Sequence, residues 1–106
     1  MAYTITFAWE DIEHDKFVYD KTSYDSYATA VATYFACLLC DWHPEIYRDG
    51  ELIENEVLYD EDLFKKCFYD DKNLLILFQW DTLPYEVLWK KVLDYRRMVE
   101  LYKKFN

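Results

Sequence analysis

The chain has 106 residues, a formal net charge of −9, and 53% hydrophobic and 21% aromatic residues, enough apolar material for one core and too much for a disordered segment. One glycine and two prolines argue against a fold built on glycine turns or a phosphate-cradling loop. The acidity opposes direct contact with nucleic acid or an anionic membrane surface, and the longest uncharged run, Ser26 to Cys40, is shorter than the about 20 residues of a spanning helix.

Tyr3, Ile5, Phe7 and Trp9 alternate with Thr4, Thr6 and Ala8, the period-2 pattern of a strand over 2–9. Phe17, Val18 and Tyr19 supply an antiparallel partner near 16–20, across the polar connection Glu10 to Lys16. Three apolar residues define its register weakly. Thr22, Ser23 or Asp25 offers a cap for a helix over 24–41, in which Tyr24, Tyr27, Val31, Leu38 and Trp42 recur at helical spacing among alanines. That helix is apolar nearly all round, which puts it at the centre of the core, and Pro44 marks its end.

Asp49-Gly50 lies between Glu45-Ile46-Tyr47 and Leu52-Ile53, which predicts a hairpin with a primed turn and strands at 45–48 and 51–54. Asp60, Glu61 and Asp62 precede Leu63, Phe64, Cys67 and Phe68, and negative charge at that position favours the start of a helix over 60–70. The apolar run Leu74 to Phe78 predicts a buried strand over 73–79. Pro84, then Tyr85, Leu88, Val92, Tyr95, Val99 and Tyr102 at steps of three and four, predict a helix over 83–105. The fold class expected is therefore α+β: a small antiparallel sheet packed against three helices, in one acidic domain over 1–106.

Charge is unevenly distributed. Residues 1–62 hold fifteen acidic side chains against Lys16, Lys21 and Arg48, whereas the remainder holds six acids and nine bases. From Asp41 to Asp62 nine carboxylates accompany Arg48 alone. This density points to a non-enzymatic protein that docks on a basic protein surface, such as a nucleic-acid-binding groove. Glu45, Asp49, Glu51, Glu54, Glu56, Asp60, Glu61 and Asp62 are the expected contacts, with Tyr47 and Tyr59 as aromatic anchors.

Duplex DNA carries one charge per about 1.7 Å, so a domain about 30 Å across needs roughly 18 carboxylates on one side for full imitation. Fifteen, not all facing one way, reach partial mimicry. In composition the chain resembles the small acidic proteins with which phages oppose host nucleic-acid-binding defences, anti-CRISPR proteins among them. The alternative is an accessory subunit or homodimer assembling through the apolar stripe of residues 85–102.

Other candidate sites carry weaker signals. Cys37, Cys40, His43 and Cys67 match the ligand count of a structural zinc, but the first two sit in an apolar helical run, where cysteine packs as a small hydrophobe. Asp11, Glu13, His14 and Asp15 resemble a general acid–base or metal cluster only in composition. With no glycine-rich loop, nucleophile elbow or His-Glu-x-x-His pattern, neither a catalytic residue nor a cofactor is expected. Three cysteines and no secretory leader over Met1 to Trp9 indicate a reducing, cytoplasmic setting.

Overall fold

In the computed structural model, residues 2–70 and 83–105 are described, with the side chains of 68–70 and 105 excepted. The elements are β1 (Tyr3–Asp11), β2 (Lys16–Tyr24), α1 (Tyr27–Leu39), β3 (Glu45–Arg48), β4 (Glu51–Leu52), α2 (Glu54–Leu58), α3 (Glu61–Asp70) and α4 (Tyr85–Phe105). The strands form one antiparallel sheet in the order β2-β1-β3-β4. The α+β class read from the sequence is correct. The strand predicted over 73–79 lies outside the described residues.

Alternation along β1 sorts the two faces of the sheet. Tyr3 and Ile5 are buried, whereas Thr4 and Thr6 are half-exposed. The register continues this across the sheet: Ile5 stands beside Ile46 on one face, and Thr4 beside Tyr47 on the other. The inner face packs on α1, nine of whose thirteen residues are buried. Its other sides meet α3, where the rings of Phe35 and Phe64 lie edge to face at 5.0 Å, and α4, whose Leu88 and Val92 are fully buried in the same core.

Several boundaries differ from expectation for identifiable reasons. The second strand runs to Tyr24 rather than stopping near 20, pairing with β1 along its whole length. Its continuation is polar because one side of the ladder is exposed. The helix expected over 24–41 begins at Tyr27, capped by Ser26, whose Oγ accepts the Thr29 N–H at 3.3 Å; Thr22 and Ser23 belong to β2.

The α1 helix ends in a Schellman motif. The Trp42 and Asp41 N–H groups donate to the Cys37 and Leu38 carbonyls, each at 3.0 Å, with Asp41 left-handed at φ 61°. A chain with one glycine has few positions where left-handed backbone carries no steric cost. Even so, Asp15, Asp41, His43 and Asp49 all have positive φ, a region that aspartate and histidine enter more often than most residues.

Asp49 and Gly50, at φ 48° and 85°, form the primed turn, but the strand expected over 51–54 has only two residues. Ile53 leaves the extended region at φ −116°, ψ 21°, its N–H closes on the Ile46 carbonyl at 2.9 Å, and the Glu56 N–H already returns to the Ile53 carbonyl. Helix α2 therefore begins at Glu54. No side chain caps it, so the sequence offers no capping residue to mark its start.

Candidate partner-binding surface

The ten expected contact residues fall into separate groups. Glu45, Tyr47, Asp49 and Glu51 share the β3–β4 hairpin. Glu45 stands opposite Thr6 on the outer face, and Tyr47, on the same face, lies between Thr4 and Leu52. Burial and the nearby Glu45 carboxylate push the Tyr47 hydroxyl above its usual pKa. Asp49 Oδ1 accepts the Ala2 N–H at 2.9 Å, while the Asp49 N–H donates to the Ala2 carbonyl at 2.8 Å. Glu51 is exposed in the register position beside Arg48.

Glu54 was expected on the surface and is instead buried, with 7% of its area exposed. One of its oxygens accepts from the Tyr34 hydroxyl at 3.1 Å and the Tyr95 hydroxyl at 3.4 Å. The one-turn helix rotates it inward, which a strand over 51–54 would not have done. Burial raises its pKa above the usual carboxylate range. Glu56 is exposed but engaged: Arg48 donates to both of its oxygens, at 2.9 and 3.2 Å, which holds its pKa down. The Arg48 guanidinium also lies 5.6 Å from the ring centroids of Tyr3 and Tyr27.

The remaining four surround the start of α3. Asp60 caps it, accepting the Leu63 N–H at 3.0 Å, and Glu61 accepts from the Tyr85 hydroxyl at 3.2 Å. The Tyr59 hydroxyl donates to Glu100 at 3.1 Å, with Arg96 5.0 Å from its ring centroid. Asp62 is exposed. Cationic groups of α4 thus reach this part of the acidic segment: Lys103 donates to Asn55 at 3.1 Å, and Arg96 to the Leu58 carbonyl at 2.9 Å.

The stripe anticipated as a helix–helix seam serves the chain's own core, since Leu88 and Val92 are fully buried and Tyr85, Tyr95 and Val99 pack against that core. Among the described side chains of α4, Val87, Leu93, Met98, Leu101 and Tyr102 are the exposed apolar or aromatic ones. Among the described residues no three His, Cys, Asp or Glu side chains are grouped to hold a metal. Cys37 is buried, and burial pushes its thiol up to about 12. His14 contacts Asp11 at 2.8 Å on the exposed β1–β2 turn.

The outer sheet face carries features that the acidic run did not reveal. The register sets Lys21, Thr6 and Glu45 in one row, and Tyr19 beside Ala8 in the next. An open groove of about 930 Å³ lies over these rows, lined also by Phe17, His43 and Tyr102. Tyr19 is 78%, Phe17 58% and Leu52 48% exposed. Glu10 and Glu45 stand on the same face. The alternation of Phe17 and Tyr19 with Val18 was the available signal, lost because its register could not be fixed from the sequence. No protein-family model, curated protein or solved structure matches the chain.

Proposed function

We propose that this protein is a non-enzymatic, acidic binding module that docks a basic protein surface against the outer face of its sheet. One observation carries the reading: the exposed Phe17, Tyr19 and Leu52 and the half-buried Tyr47 occupy the same face as the carboxylates Glu10 and Glu45. Aromatic anchors inside a charged rim are the usual anatomy of an interface, and the sign of the rim selects a cationic partner and accelerates its approach. With Glu54 buried and Glu56 occupied by Arg48, the free carboxylates are too sparse for the charge density of duplex DNA. The favoured partner therefore presents lysines or arginines around an apolar contact rather than a bare phosphate-binding track.

Two charge-reversed variants of equal net charge test the face. Glu10→Lys with Glu45→Lys alters it, whereas Asp25→Lys with Asp62→Lys alters exposed carboxylates elsewhere. In pull-downs from a cell lysate at physiological salt, the first pair is expected to lower capture of a basic protein at least roughly tenfold, and the second to leave it intact. Equal effects from both pairs would reduce the reading to net charge, and capture indifferent to either would end it.

A further inference from the structure

Strand β2 stands at one end of the sheet order, and among the described residues no strand pairs with its outer side. The direction of its free backbone groups follows from β1. The Ala8 N–H donates at 2.7 Å to the Trp42 carbonyl, which lies on the side of β1 away from β2. Ala8 and its cross-strand neighbour Tyr19 are therefore a non-hydrogen-bonded pair of the β1–β2 ladder. Backbone direction alternates along a strand, so Phe17, Tyr19 and Lys21 aim their N–H and C=O groups outward. The segment Lys16 to Asp20 contains no proline or glycine that would blunt this edge.

The same segment is complementary to itself. Take a second copy in antiparallel orientation, with the twofold axis perpendicular to the sheet at Val18. Phe17 then faces Tyr19 of the second copy, with both residues' backbone groups aimed across the interface to form four hydrogen bonds. Lys16 faces Asp20, twice by symmetry, and Val18 faces Val18 in a close non-hydrogen-bonded pair.

Neighbouring registers lose this match. Centring on Tyr19 sets Val18 against Asp20 and Phe17 against Lys21, centring on Phe17 sets Lys16 against Val18, and centring on Asp20 opposes two carboxylates. The helical layer leaves the segment open: Tyr24, at the far end of β2, packs against the core, whereas Phe17, Tyr19 and Asp20 are exposed.

We infer that a second copy of this chain pairs with the β2 edge in the Val18-centred antiparallel register, joining two sheets into one of eight strands. This arrangement does not depend on the docking reading, although it would place both outer faces on the same side. Four main-chain bonds with two aromatic pairs make a small interface, below about 1,200 Å², so the dimer is in concentration-dependent equilibrium with monomer.

Analytical ultracentrifugation of the full chain over a wide concentration range is expected to show that equilibrium. Lys16→Glu alone and Asp20→Lys alone each set like charges opposite one another twice and should weaken dimerisation roughly tenfold. The double variant, Lys16→Glu with Asp20→Lys, should restore it. Monomer throughout, singles that match the wild type, or a double variant that stays weak would each overturn the register. Hydrogen exchange on the wild type is independent of any variant's folding. The Phe17 and Tyr19 amides should gain protection as concentration rises, and constant protection at both would refute the pairing.

Discussion

Glu54 is the one charged side chain buried among the described residues, and its position explains both the cost and the use of placing it there. Desolvation disfavours the carboxylate, while hydrogen bonds from Tyr34 and Tyr95, and the charge of Lys103, partly compensate; Glu45 adds repulsion. A folded-state pKa above the ordinary 4.5 means that the folded chain retains a proton the unfolded chain has released. This group's contribution to stability therefore falls as pH rises from about 4.5 through the raised pKa.

Glu54→Gln keeps an oxygen acceptor for the tyrosines and removes the charge. It is expected to raise stability at neutral pH and flatten that part of the pH profile, as read by urea unfolding at several pH values. Glu54→Ala leaves the fully buried Tyr34 hydroxyl without that acceptor and should cost about 1–3 kcal/mol. A Gln variant less stable than wild type at neutral pH would show that the ionised form is the preferred one. None of this was legible in the sequence. Between Glu51 and Asp62 the carboxylates look equivalent, and only the one-turn helix α2, which lacks a capping side chain, distinguishes Glu54 from its neighbours.

At the scale of elements, legibility followed the strength of the local signal. The alternation in β1, the apolar breadth of α1, the Asp49-Gly50 turn and the three-and-four spacing of α4 each needed only nearby residues. Helix α2 depends on distant groups instead: Arg96 of α4 donates to the carbonyl of Leu58, its last residue, and thereby satisfies an orphan acceptor.

The end of α1 is intermediate in this respect. Pro44 indicated that the helix stops, but the left-handed turn three residues earlier falls on Asp41, where glycine is the usual occupant. Asp41 is exposed at φ 61°, a conformation that disfavours residues with a Cβ. Asp41→Gly should therefore stabilise the protein by about 0.5–1 kcal/mol, the relief of local strain exceeding the added freedom of the unfolded chain. Thermal or urea unfolding measures this directly, and a lower midpoint would mean that the aspartate side chain contributes more than its backbone costs.

For the whole molecule, the decisive contacts are those joining the sheet-bound helix α1 to α3 and α4. Phe64 holds that junction. It is 2% exposed, and its ring lies 5.0 Å from Phe35 of α1 and 5.8 and 5.3 Å from Tyr85 and Trp89 of α4. Composition announced an aromatic-rich core, yet which ring would meet three elements follows from tertiary packing alone. Removing that ring leaves a cavity that rigid neighbours fill only in part, so Phe64→Ala is expected to cost about 3–5 kcal/mol, against a total stability of about 5–15 kcal/mol for a domain of ordinary size. Phe64→Leu retains most of the volume and should cost markedly less. Urea unfolding of both variants separates lost volume from lost ring contacts. Near-equal costs would show that the edge-to-face geometry, rather than filled space, ties α3 and α4 to α1, whereas an alanine variant within about 1 kcal/mol of wild type would mean that α3 is held by something other than its buried ring.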